Sequence, residues 1–225
     1  MQKQHQCNFH SKSLFLDNYL KAYSIGEAWL LSLKAVIAHG ILIDDNKKPI
    51  MEVVPLCIEI IHPTLPDRII DRYGDSNYLQ FLSKNFGDLS PILNWGYSYA
   101  QRLYSFKNTN QIEHVIKKLA NNPFSRSATI SLLDKEEDHM HIPCLTTLDF
   151  KIRNDILIIN AMFRSQDVGN KIYGDAIEIL KIGYNIIQTV PARKIILILT
   201  IASANIYLDD IERVRSIINA IEKDT

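Results

Sequence analysis

The sequence predicts an α+β fold, a mixed β-sheet covered by helices. Three observations carry that expectation. Runs rich in β-branched residues pair into hairpins across short polar turns. Stretches with apolar residues at helical spacing separate those hairpins. Finally, 225 residues that are 47% hydrophobic are enough to bury one substantial core and too few for two. One domain over residues 1–225 follows, with the polar residues 1–13 frayed at its start.

The first helix is expected at 27–39, because Ser24 and Glu27 make a capping box ahead of an apolar-periodic run. Gly40 ends it, taking the left-handed conformation that glycine adopts at least cost. Residues 41–43 and 50–61 form two strands around the polar turn at 44–48. Pro55 cannot donate to a ladder and marks an edge or a bulge. Between 67 and 85, Ile69, Ile70 and Tyr73 recur at helical spacing, and Gly74-Asp75-Ser76 divides the stretch into two short helices. Residues 111–120 place Ile112, Val115, Ile116 and Leu119 on one face of a helix that Asn121-Asn122-Pro123 stops. Strands follow at 128–133, 145–152 and 156–163, the last two joined by a turn at Arg153-Asn154-Asp155. A helix at 172–187, a strand at 194–202 and a helix at 209–221 complete the chain, without internal repeats or low-complexity segments.

Charge and composition exclude several function classes. Lys plus Arg equals Asp plus Glu at 25 each, so no broad positive field holds a nucleic-acid backbone. The longest apolar stretch, at 195–204, is about half the ~20 residues a membrane span needs. Residues 1–13 lack the apolar centre of a signal peptide. Cys7, Cys57 and Cys144 are an odd set without metal-ligand spacing, which implies no metal site, free thiols and a reducing, cytoplasmic location.

The reactive residues concentrate in 143–175. Pro143-Cys144 precedes a hairpin whose return strand ends in Arg164-Ser165-Gln166-Asp167, and Asp175 follows shortly after. A thiolate attacks an electron-poor carbon far better than a thiol does, so a nucleophilic cysteine needs a nearby cation and partial exposure. Cys144, at a strand start, can meet Arg164 at the end of the returning strand. A buried, inert cysteine is the alternative for Cys144, and it is the reading for Cys57.

This pattern, Pro-Cys, a strand pair, Arg-Ser-x-Asp and a base-reading Asn or Asp, resembles thymidylate synthase and the pyrimidine-nucleotide hydroxymethylases, most closely their short archaeal-type branch. The likeness is good from about residue 111 to 221, fainter at 97–103 and weak before that. It implies a thymidylate-synthase-like three-layer fold and a homodimer packed sheet against sheet. It also implies a pyrimidine nucleoside monophosphate as substrate and 5,10-methylenetetrahydrofolate as cofactor. By resemblance Cys144 adds to C6 of the base, making C5 nucleophilic towards the one-carbon unit. Leu145 stands where the longer synthases have His.

Arg164 and Ser165 match the family's phosphate-binding pair, the guanidinium gripping phosphate bidentately. Residues 122–126 resemble the segment whose two consecutive arginines reach the partner's phosphate. Arg126 is kept and Ser127 fills the second place; a solvated surface arginine is the alternative for Arg126. Asp167 matches the aspartate that orients the base. Tyr99 aligns with a tyrosine of the active-site wall, with Ala100 in place of the following glycine. Glu52 takes the place of the glutamate of the proton relay, or is a surface strand glutamate. Asn205 and Tyr207 correspond to the run that holds the sugar hydroxyls, with Asn205 replacing His.

Asp175 sits where thymidylate synthases have Asn, whose amide gives to O4 and receives from N3–H of uracil. Cytosine presents the reverse pattern. A carboxylate accepts from its amine and, protonated or water-bridged, serves N3. Asp here is what cytidylate hydroxymethylases carry; an acid favoured by the helix dipole is the alternative. The leading expectation is therefore hydroxymethylation of a cytidylate, CMP or dCMP. Methylation of a uridylate and an inactive nucleotide-binding relative are the other readings.

Overall fold

The chain is α+β as expected, but its strands form two mixed sheets rather than one. The larger runs in the order β1 (Tyr19–Ala22), β4 (Leu56–Ile60), β9 (Lys194–Ile201), β7 (Ile156–Phe163), β6 (Leu145–Arg153), β5 (Ala128–Ser131). The smaller runs β2 (Ile41–Ile43), β3 (Ile50–Val53), β10 (Ala204–Tyr207), β8 (Gln166–Asp167). This computed structural model describes residues 18–44, 48–92 and 96–224. The expectations for residues 1–13 and for the middle of the 44–48 turn lie outside them.

Alternation along the central strands explains the layering. Ile58, Leu148, Phe150, Leu157, Ile159, Leu197 and Leu199 are fully or almost fully buried, while their neighbours in sequence are half-exposed. Period-two patterning sends the first set to one face and the second to the other. Helix α1 (Ile25–His39) packs on β1 and β4 and also touches β3 of the smaller sheet. It is capped as expected, Ser24 Oγ accepting from Glu27 N at 3.3 Å. The helices α2 (Arg68–Tyr73) and α3 (Ser76–Gly87) divide at Gly74-Asp75, and the Asp67 and Asp75 carboxylates cap their N-termini. α4 (Tyr99–Tyr104) and α5 (Gln111–Asn121) follow, α4 packing on α3. α6 (Ile172–Ile187) contacts α1, α3 and β9, and α7 (Ile211–Asp224) packs on α1 and α2.

Several expectations change. The strand at 50–61 is two strands in different sheets, because the chain turns at Val54-Pro55 and pairs β3 with β10 but β4 with β1 and β9. Pro55 therefore lies at a change of sheet, where no ladder bond is asked of it. Gly40 is extended, with φ −66° and ψ 142°, not left-handed. Glycine is needed for space instead: a Cβ there would stand 2.5 Å from the Val36 carbonyl oxygen. The strand at 128–133 ends at Ser131, and the last helix begins at Ile211 after a 3₁₀ turn, Leu208–Asp210. β1, α4, β8 and β10 are too short for periodicity to reveal.

The β6–β7 hairpin closes through Asn154 and Asp155, both at positive φ, 50° and 60°. These are the residue types that tolerate the primed turn two-residue hairpins favour. Among the described residues no helix is long and apolar enough to cross a membrane.

Trp29 joins the helical layer to the loop after β8. It is 1% exposed, donates from Nε1 to the Val168 carbonyl at 3.1 Å, and meets the Tyr173 ring at 4.4 Å between centroids. Trp29→Phe is expected to cost about 1–3 kcal/mol, from the cavity and the carbonyl left without its donor. Urea unfolding measures this, and a change within experimental scatter would show that Trp29 is not a tie.

Candidate active site

The β6–β7 hairpin creates the centre of the site. Leu145 pairs with Phe163, so Cys144 and Arg164 stand opposite each other at the open end, and Arg164 N donates to Cys144 O at 2.9 Å. A register shift between Leu145 and Thr147 lies directly behind the cysteine. Such a bulge re-aims the strand end and its side chains.

Cys144 lines a cavity of about 280 Å³ together with Tyr97, Tyr99, Arg164, Gln166, Lys171 and Asp175. Tyr78, Phe81, Leu82 and Asn85 of α3 form another wall, and Met140, His141 and Ile142 complete it. The Tyr99 hydroxyl accepts from Leu145 N at 3.0 Å, fixing the backbone next to the thiol. Arg164 donates from Nε and Nη2 to the Ile142 carbonyl at 3.2 and 2.7 Å, and from Nε to that of Pro143 at 3.1 Å. It thus clamps the segment ahead of Cys144 while remaining exposed, with Nη1 outside these bonds. Farther back along this segment, buried Arg102 holds Asp138 at 2.7 Å beneath the rings of Tyr97 and Phe106.

Burial pushes the Cys144 thiol up; Arg164 and Lys171 pull it the other way. The resting group is thus a thiol rather than a thiolate. Asp175, on the first turn of α6, is 4% exposed, and burial pushes its carboxyl up to about 6. Gln166 Nε2 donates to its Oδ2 at 2.7 Å, while its Oδ1 has no partner.

The remaining expected residues form a second group beside the cavity wall. Across the smaller sheet Glu52 pairs with Asn205, and Asn205 with Asp167, so the three make one row. Ser203 Oγ donates to Glu52, and Asn205 Nδ2 donates to Ser165 Oγ at 3.0 Å. Asp167 receives Asn170 Nδ2 at 3.0 Å on Oδ2, its Oδ1 has no partner, and burial raises its carboxyl. Tyr207 pairs with Ile50, farther along β10, and carries Lys48 Nζ 5.8 Å from its ring centre. Arg126 is exposed on the loop between α5 and β5, outside the cavity wall. Cys57 also lies outside the wall, half-buried on the outer sheet face rather than fully buried, and its thiol is raised by burial.

Sequence reasoning missed Gln166 and Lys171, although both lie within the motif it singled out. It also missed the α3 wall, which no motif marks. Among the described residues no group of three His, Cys, Asp or Glu is arranged to hold a metal ion.

The buried acid gives a stability test. A carboxyl near 6 in the folded state, against ~3.9 unfolded, keeps its proton longer in the native protein. The stability this gives is complete below the unfolded value and is lost as pH rises through about 6. Asp175→Asn suffers no such loss, so its stability relative to wild type should improve by roughly 2–3 kcal/mol between about pH 4 and pH 7. Urea unfolding of both proteins across that range measures the gap; a constant gap would mean that Asp175 titrates normally.

Comparison with known proteins agrees with this geometry. The sequence profile described as thymidylate synthase matches residues 67–224. A protein of Methanosarcina mazei named "Putative thymidylate synthase" is 29% identical over 209 residues, covering 90% of this chain and 95% of its own. One of the same name from Methanococcoides burtonii is 28% identical with the same coverage. Another, from Methanothermobacter thermautotrophicus, is 34% identical over 101 residues, covering 44% of this chain and 41% of its own. With its profile spanning more than half the chain and its cysteine and arginine facing each other across one hairpin, the protein belongs to the thymidylate synthase family, as a one-carbon transferase acting on a pyrimidine nucleotide.

Proposed function

We infer that the protein is a cytidylate 5-hydroxymethylase, with CMP or dCMP as substrate and Cys144 as nucleophile. The observation that carries this reading is Asp175: a buried carboxyl beside the nucleophile's cavity, with one oxygen unpartnered. Its value near 6 means that the acid form is accessible close to neutrality. A neutral carboxyl offers one acceptor and one donor, which matches the C4 amine and N3 of cytosine. Uracil presents O4 and N3–H, which the same carboxyl would meet only with its proton on the other oxygen.

The residues divide the work by position. Arg164 and Ser165 take the phosphate, and Asn205 and Tyr207 face the sugar. Cys144 Sγ bonds to C6 as its proton leaves, and the ring's electrons pass to C5, the carbon that takes the one-carbon unit. Tyr99 holds the backbone so that Sγ stays on line. Loss of the C5 proton releases the carrier amine and leaves an exocyclic methylene on the ring. Water adding to that carbon, with the electron pair returning to C5 and expelling the sulfur from C6, gives the hydroxymethyl group. In this reading Glu52, which shares a row with Asn205 and Asp167, serves the proton transfers.

The carbon donor is 5,10-methylenetetrahydrofolate, which supplies a methylene group when bound. The fit rests on the aromatic wall of Tyr78 and Phe81 beside Cys144, with Asp167, whose buried Oδ1 has no partner, outside that lining. The second reading, methylation of a uridylate, is favoured by the name the archaeal relatives carry.

One panel separates the two. Wild type, Cys144→Ala and Asp175→Asn are incubated with CMP, dCMP, UMP or dUMP plus the folate, and products are read by mass spectrometry. Wild type should yield a hydroxymethylated cytidylate, and Cys144→Ala no product while still binding nucleotide. Asp175→Asn should shift the cytidylate-to-uridylate ratio of kcat/KM by roughly ten- to a hundredfold towards uridylate. A methylated uridylate from wild type would establish the second reading, and product from Cys144→Ala would remove the cysteine from the chemistry.

The half-exposed face of the larger sheet supports a homodimer. Ile158, Ile196, Ile198 and Met162 form an apolar strip on it beside Cys57 and Thr200, with Asn160, Asp149, Lys151 and Glu59 on the same face. Packing it on a second copy would bury these side chains and let Arg126 complete the partner's phosphate site. Light scattering at micromolar concentration should give the dimer mass; a monomer would exclude the shared site.

A further inference from the structure

We propose that Gln166 is the positioning residue of base recognition: by occupying one oxygen of Asp175 it reserves the other for ring N3, and so selects a 4-aminopyrimidine over a 4-oxopyrimidine. The proposal rests on the reading of Asp175 above and assigns a role to the open third place of the Arg-Ser-x-Asp run.

Gln166 and Asp175 come from different elements, β8 and the first turn of α6, and are 1% and 4% exposed. Their hydrogen bond, Nε2 to Oδ2, is 2.7 Å long. Each keeps one buried oxygen without a partner, Gln166 Oε1 and Asp175 Oδ1. Buried polar atoms are paired in nearly all native structures, and exceptions call for an explanation such as a missing ligand. Both residues line the cavity that holds Cys144.

The chemistry follows from that bond. An N–H donor on Oδ2 stabilises negative or carbonyl character there, so a proton on this carboxyl resides on Oδ1. Oδ1–H can then donate to an unprotonated ring N3. The C4 amine has two N–H groups for the remaining acceptors, Oδ2 and Gln166 Oε1. Against the protonated carboxyl a 4-oxo base brings an acceptor to these acceptors and an N3–H donor to the Oδ1 donor; against the ionised form only N3–H finds an acceptor, and O4 still faces acceptors.

Other groups bear on the same carboxyl. Lys171 and Glu178 act from its own helix, Lys171 lowering and Glu178 raising its value, and Gln166 lowers it. Cys144, Tyr78 of α3 and Tyr99 of α4 face it from the other walls, since each feels its charge. None of these fixes which oxygen holds the proton, as Gln166 does by its contact.

Calorimetric binding of CMP, dCMP, UMP and dUMP at about pH 8, in buffers of differing ionisation enthalpy, tests the proposal without needing turnover. Wild type should bind cytidylate at least about tenfold more tightly than uridylate and take up close to one proton with cytidylate only. Gln166→Met keeps the length without the donor; its preference should fall about tenfold and its proton uptake diminish. If Gln166→Met binds neither nucleotide through loss of fold, Gln166→Glu decides. In it the two carboxyls share a proton between them, Oδ1 is left bare, and the same loss of preference is expected. A variant that binds as selectively as wild type, with the same uptake, overturns the proposal, as does a wild type that shows no preference. The expected binding pattern with no turnover of any nucleotide would instead support the positioning role and overturn the enzymatic reading of the site.

Discussion

The pairing register of one hairpin decides where the chemistry can occur. β6 and β7 are long, their turn residues are at positive φ, and eight aligned pairs lead from the turn to Leu145 and Phe163. Because side chains alternate, a slip of one residue would send every inward side chain outward. The burial of Leu148, Phe150, Leu157 and Ile159 forbids that slip. Core packing thus aligns a thiol and a guanidinium that share no direct bond between their side chains. Around that pair the rest of the site is supplied by neighbours: β8 brings Gln166, α6 brings Asp175, and α3 closes the cavity.

The electrostatics of the cavity work against ionisation. Cys144, Asp167 and Asp175 are each raised by burial, and the tyrosines Tyr78, Tyr97 and Tyr99 likewise. Lys171 opposes the shift at all three of the first set. Acids and phenols held back from ionising, beside buried acceptors without partners, are costly to the empty protein and suited to hydrogen-bonded recognition of a base. The loop leading into Cys144 is meanwhile held at two points, by Arg102 on Asp138 and by Arg164 on the carbonyls of Ile142 and Pro143.

Much of this was legible in the sequence, for identifiable reasons. The long strands and α1, α5 and α6 declare themselves by periodicity, and Gly74-Asp75-Ser76 ends a helix because Asp75 caps the next. The motif spacing placed Cys144 against Arg164, since a hairpin converts sequence distance into opposition. The division of residues 50–61 between two sheets was hidden, because nothing local tells Ile50 and Leu56 which partners they will find. Gly40 was read for its backbone angle when its lack of a side chain was what mattered. Gln166 was passed over because its role depends on α6, which the chain reaches only later and brings back by tertiary packing.

The hairpin register also limits how such a chain can change length. Residues gained or lost at the Asn154-Asp155 end in pairs, one on each strand, lengthen or shorten the ladder without disturbing what stands opposite at the other end. A single insertion has no such freedom, for it must be absorbed as a bulge or it inverts one strand. The interval between the Pro-Cys and Arg-Ser motifs should therefore vary among divergent chains in steps of two. Searching for remote kin by fixed spacing would overlook them, whereas a parity rule would not.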